Sequence, residues 1–97
     1  MRIVARRSLR EFWQRHPQAE GALRFWYQTT SRAAWRTTAD IRATFGSVDL
    51  RPNNRAIFDV GGNRFRIVAV VLLKSQIVYV RFVGTHAQYD RIDVDEI

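Results

Sequence analysis

The chain has 97 residues, 46% of them hydrophobic, with sixteen basic and nine acidic side chains, a net charge of +7 and no cysteine. Disulfides and thiolate metal sites are excluded, the apolar content is that of a folded domain, and no run of about 18 apolar residues offers a membrane span. A single domain over residues 1–97 is expected, in an intracellular, cytoplasmic protein whose charge suits a polyanionic or acidic partner.

Met1–Ala5 reads as a short strand. Ser8-Leu9-Arg10-Glu11 has the spacing of a capping box, which starts a helix at Ser8. That helix is expected to run to Arg15, because Pro17 disfavours helical geometry at His16. Pro17 suits the first turn of a second helix, on which Ala19, Ala22, Leu23, Trp26 and Thr30 share a face. Trp35 falls in a connection, and Thr37 or Thr38 caps a third helix through Ile41 to Phe45, stopped at Gly46. Ser47–Asn54, with Pro52 and Asn53-Asn54, reads as a loop. From Arg55 the period changes to two, giving strands at Ala56–Val60, Arg64–Leu72 and Gln76–Val83, with turns at Gly61-Gly62 and Lys74-Ser75. The fold class is α+β: an N-terminal strand and helices on one face of a small antiparallel sheet, then a short C-terminal helix.

Strand parity places the charges. A two-residue turn at Gly61-Gly62 pairs Val60 with Asn63 and Phe58 with Phe65. The turn at Lys74-Ser75 pairs Leu72 with Ile77, Val70 with Tyr79 and Val68 with Arg81. Ala56, Phe58, Phe65, Ile67, Ala69 and Val71 then share a face with Val78, Val80 and Phe82. The opposite face gathers Arg55, Arg64, Arg66, Tyr79 and Arg81, with Arg66 and Arg81 as diagonal neighbours. Like charges so close cost stability, and only Asp59 stands nearby to offset them, so the cluster points to an anion site. Val68, Val70 and Ile77 lie on this face too and require an apolar cover.

Thr85-His86-Ala87-Gln88 is a second capping box, which starts a short helix with His86 and Tyr89 on the same side. His16, beside Pro17, reads as a helix-boundary residue. Trp13, Trp26 and Trp35 read as core or interface anchors. Asp90, Asp93, Asp95 and Glu96 lack the glycine and ordered ligands of a calcium loop and read as a solvated tail. No metal or cofactor is expected. Neither a Gly-x-x-x-x-Gly-Lys-Ser/Thr loop nor a Gly-x-Ser-x-Gly elbow occurs, so nucleotide and ester hydrolysis have no support.

Three stretches carry a family resemblance: Asn54-Arg55, Phe58-Asp59-Val60-Gly61-Gly62-Asn63-Arg64-Phe65-Arg66, and Tyr79 through Asp90 with Gly84-Thr85-His86-Ala87-Gln88-Tyr89-Asp90. They resemble the HigB-type toxins of bacterial toxin–antitoxin modules, in the RelE/ParE-like group. The resemblance implies a RelE-like fold and a ribosome-associated endoribonuclease that cuts mRNA. It also implies restraint by a HigA-type antitoxin with a helix-turn-helix, so that DNA is met only through the antitoxin. The ParE-like branch poisons a topoisomerase instead; His86 and Tyr89 beside Arg64, Arg66 and Arg81 favour the nuclease branch.

On this reading an RNA 2′-hydroxyl attacks the adjacent phosphate, which needs a base, an acid and positive charge for the phosphorane. His86 is the principal acid/base residue and Tyr89 its partner or a base-stacking group. Arg66 and Arg81 hold the scissile phosphate, while Arg64, Arg55 and Lys74 steer the RNA backbone. The rival readings are a non-enzymatic poison of a protein target and a plain RNA-binding module. The antitoxin is expected on the helical half, with the three tryptophans as anchors.

Overall fold

The helical layer follows from where apolar residues recur every three or four positions. In the computed structural model, which describes residues 1–97, strand β1 (Arg2–Val4) leads into α1 (Arg6–Arg15). A 3-10 turn over Pro17–Ala19, α2 (Glu20–Arg32) and α3 (Thr38–Thr44) follow. Helix α1 begins two residues before the expected capping box. Ser8 lies inside its first turn, with its backbone N–H donating to the Ala5 carbonyl at 3.2 Å, and Glu11 pairs with Arg7 at 3.6 Å. Leu9, Phe12 and Trp13 bury the same stripe from either start, so packing rather than the cap sets the boundary. Helix α3 does use its box: the Thr37 side chain accepts from the Asp40 amide, and Asp40 Oδ2 accepts from the amides of Arg36 and Thr37 at 2.8 and 3.1 Å. Those backbone bonds, Arg36 first, hold the Asp40 carboxyl below its ordinary value.

Strands β2 (Asp49–Arg51), β3 (Arg55–Val60), β4 (Phe65–Leu72) and β5 (Ile77–Thr85) precede a one-turn helix α4 (His86–Tyr89). The sheet order is β1-β5-β4-β3-β2, and β1 joins its edge parallel to β5 while every other pairing is antiparallel. Strand β2 lies where a loop was expected. Asn53 and Asn54 both take left-handed backbone, φ 61° and 62°, and reverse the chain into β3.

The first hairpin turn spans Gly61–Arg64, two residues longer than expected, so Val60 pairs with Phe65 and Phe58 with Ile67. An even change keeps parity, and the two faces survive. The Phe65 ring fills the space under the turn: a Cβ on Gly61, itself at φ 64°, would lie 2.9 Å from it. In the second hairpin Leu72 pairs with Ile77 and Val70 with Tyr79, as expected. A bulge then leaves Arg81 unpaired between Val80 and Phe82, opposite Ala69 and Val68. A bulge reverses parity. Phe82 therefore turns away from the helices, and Arg66 faces Gly84 rather than Val83.

Phe58 is the hub of the helix-facing core. Its ring centroid lies 5.3 Å from Trp26, 5.3 Å from Phe45 and 6.3 Å from Trp35. Trp13, Trp26 and Trp35 are all buried, so none is free to anchor a partner; Phe25 is the large hydrophobic left exposed. The opposite face is covered as well. Val94 packs on Ile57 and Val68, with Phe82, Tyr89, Ile92 and Ile97 around them. The acidic C-terminal stretch is thus a cover and not a solvated tail, and Asp95 lies 3.7 Å from Arg51. No helix is long and apolar enough to cross a membrane.

Candidate active site

Helix α4 is fixed to the start of β4 at two levels. Phe65 pairs with Thr85 and Arg66 with Gly84, and the His86 amide donates to the Arg64 carbonyl at 3.2 Å. Its own capping box is formed: the Thr85 amide donates to Gln88 Oε1 at 2.9 Å, and the Gln88 amide donates to Thr85 Oγ1 at 3.2 Å. Gly84 allows this close approach. A Cβ there would lie 2.5 Å from Phe82 Cζ and 2.9 Å from Gln88 Oε1.

Arg66 is held on three sides. Its Nε lies 3.0 Å from Asp59 Oδ1, an ion pair whose N–H is not aligned for a hydrogen bond. Its Nη2 makes a long 3.5 Å bond to Asn63 Oδ1, and its Cζ sits 4.7 Å from the centroid of the Tyr89 ring. Asp59 faces Arg66 directly across the β3–β4 ladder, so the partner is delivered by register. A guanidinium held at Nε presents its remaining donors in a fixed plane, which suits two phosphate oxygens.

His86 sits one helical turn before Tyr89. Its Nδ1 lies 3.2 Å from Asp90 Oδ2, and about half of its side chain is exposed. A carboxylate facing Nδ1 favours the tautomer that donates from Nδ1, and in that tautomer Nε2 is the acceptor nitrogen. This supporting carboxylate was legible as an i, i+4 pair but was passed over as part of the acidic tail.

The remaining arginines and the lysine separate. Arg64 lies in the turn beside α4 and is exposed. Arg81, set aside by the bulge, lies over the Tyr79 ring at 5.9 Å, so it is not the diagonal neighbour of Arg66 that regular pairing would make it. Arg55 donates Nε and Nη2 to the Ile97 carbonyl at 3.2 and 2.5 Å, which commits it to the C-terminal cover. Lys74 lies in the turn between β4 and β5 at the opposite end of β4 from Arg66, roughly 20 Å along the strand. The structure thus packs Tyr89 on Arg66 and carries His86 on the same one-turn helix, bonded through its backbone to Arg64; it adds Asp59 and Asp90 and leaves Arg81, Arg55 and Lys74 apart.

Residues 19–92 match the HigB toxin family, described as the RelE-like toxic component of a toxin–antitoxin system. The chain is 30% identical over 92 residues to the mRNA interferase toxin HigB of Escherichia coli strain K12, covering 93% of this chain and 88% of that protein. The same identity and coverage hold for the mRNA interferase HigB of Shigella flexneri. For the mRNA interferase HigB of Escherichia coli O6:H1 the identity is 26% over 94 residues, 95% of this chain and 91% of that protein. A RelE-like architecture, a cationic centre built on its C-terminal helix and this breadth of match lead to one conclusion: the chain belongs to the HigB family of toxins, whose partners are antitoxins.

Proposed function

We propose that this toxin is an endoribonuclease that cuts mRNA during translation, with the RNA 2′-hydroxyl as nucleophile. The observation that carries the reading is that Tyr89 packs its ring on a clamped arginine, Arg66, from the same one-turn helix that carries the Asp90-paired His86. His86 Nε2 removes the 2′-hydroxyl proton while Asp90 holds the ring through Nδ1. The 2′-oxygen bonds to phosphorus as the bond from phosphorus to the 5′-oxygen breaks, and the 5′-oxygen takes a proton from water. Arg66 faces the phosphate oxygens as negative charge builds on them, and such preorganised charge is worth more in the transition state than in the ground state. Tyr89 supports the guanidinium with its ring. Arg64 and Arg81 guide the RNA backbone on either side of this centre. The relatives named mRNA interferase support RNA as the substrate.

The restraining partner is a HigA-type helix-turn-helix antitoxin, and contact with operator DNA runs through that partner. The test is cleavage mapping of mRNA on translating ribosomes, with wild type and His86→Ala in parallel. Cuts made by wild type and absent from the variant are the expected result. RNA bound by both and cut by neither would favour a plain RNA-binding module, and growth arrest by both without cuts would favour a poison of a protein target.

A further inference from the structure

Strand β1 accompanies β5 only from Ile77 to Tyr79, so the rest of that edge of β5 has no strand partner. A cleft of about 490 Å³ lies along the open edge, within the range of about 300–1,000 Å³ in which small-molecule sites fall. Phe82 and Val83, which point to opposite faces of the sheet, both line it, as only a cleft running past the strand's edge permits. Arg15 and His16 at the end of α1 form one wall, and Gln88 and Arg91 form the other. Gln88 is the residue before Tyr89, so α4 separates this cleft from the centre at Arg66.

The lining has the chemistry of a nucleotide site. His16, which the sequence marks only as a helix boundary, stacks on Phe12 with centroids 4.3 Å apart and 21° between the planes. Phe82 and Val83 are half-buried and supply an apolar floor. Gln88 spends its Oε1 on the Thr85 amide, which leaves the side-chain NH2 free to donate. Arg15 and Arg91, like most arginines of the chain, have no carboxylate within 4 Å. Aromatic surface beside unpaired arginines and a free amide is what single-stranded nucleic acid recognises: bases stack, phosphates meet arginine, and base edges meet the amide.

We infer that this cleft is a second RNA subsite, which seats the base of a nucleotide neighbouring the cleaved linkage while Arg15 and Arg91 take its flanking phosphates. The inference rests on the endoribonuclease reading, and it makes the choice of cutting position a property of the edge of β5.

The test uses the full chain and a single-stranded RNA carrying 2′-O-methyl groups, which cannot be cut, and 4-thiouridine for photocrosslinking. Crosslinks to the wild-type protein at His16, Phe82, Gln88 or Arg91, which line the cleft, are expected. Arg91→Ala and His16→Ala should each bind this RNA about tenfold more weakly. Arg91→Ala should also lower the salt slope by about 0.7 and redistribute cuts along mRNA. Crosslinks confined to the His86 side, or wild-type affinity and an unchanged cutting pattern in both variants, would overturn the subsite. The endoribonuclease reading fails separately, if the wild-type protein binds mRNA on translating ribosomes and leaves it uncut. Because the crosslinking uses wild type, loss of folding in His16→Ala cannot mask the outcome.

Discussion

At the scale of single residues, the centre works because each chemical group has a second group that fixes it. Arg66 has Asp59 and Tyr89, and His86 has Asp90. In the proposed mechanism Tyr89 acts through its ring, so Tyr89→Phe should keep most of the cleavage rate, whereas Tyr89→Ala should lose tenfold or more by freeing the guanidinium. A loss of about 10²-fold in Tyr89→Phe would instead give the hydroxyl a part in proton transfer. Arg66→Ala should lower turnover far more than RNA affinity, while Arg81→Ala, away from the clamped centre, should weaken binding and leave turnover nearly unchanged. Single-turnover rates at saturating and subsaturating RNA separate the two effects. The placement of His86 and Tyr89 on one short helix and of Arg66 opposite Asp59's strand was legible in the sequence because a capping box and strand parity are local rules. Arg81 and Arg55 were misplaced because their surroundings depend on a bulge and on residues some forty positions away.

At the scale of elements, parity held through the first hairpin and failed beyond the bulge in the second. The extra two residues in the Gly61–Arg64 turn shifted β3 against β4 without exchanging their faces, since the change is even. One bulged residue in β5 did exchange them, carrying Phe82 to the second face and Arg81 out of line. Strand β2 carried a readable signal in Asn53-Asn54, because asparagine enters left-handed backbone more readily than most residues. Gly84 joins β5 to α4, and Gly84→Ala should destabilise the fold by about 1–3 kcal/mol, since Phe82 is packed and Gln88 is held in the cap. Activity should fall with it, as measured by denaturant melts beside cleavage assays; wild-type behaviour in both would show that α4 yields freely. Helix α3 supplies a pH signature. The Asp40 carboxyl is held low by backbone N–H groups, so its contribution to stability is full above its ordinary value of 3.8 and is lost as pH falls through the lower folded value. Asp40→Asn should therefore be less stable than wild type at neutral pH, with the gap closing in acid below 3.8. A gap constant with pH would remove the charge from the account.

At the scale of the whole molecule, a small sheet is buried on both faces by different means. Helices cover one side with aromatic contacts centred on Phe58, and the C-terminal stretch covers the other with Val94. The sequence showed that the second face needed an apolar cover through Val68, Val70 and Ile77. It hid the identity of that cover, because Ile92, Val94 and Ile97 stand interleaved with acidic residues. The same arrangement leaves the cationic centre on α4 between the covered face and the open edge of β5. The central claim is that this centre breaks RNA by attack of the 2′-hydroxyl with His86 as base. It is tested most directly by determining the chemistry of the ends that the toxin leaves on mRNA. Attack by the 2′-hydroxyl yields a 2′,3′-cyclic phosphate on the upstream fragment and a 5′-hydroxyl on the downstream one, and wild type should give these while His86→Ala gives no cut. Fragments ending in 3′-hydroxyl and 5′-phosphate, or cyclic phosphate ends produced equally by His86→Ala, would contradict the account.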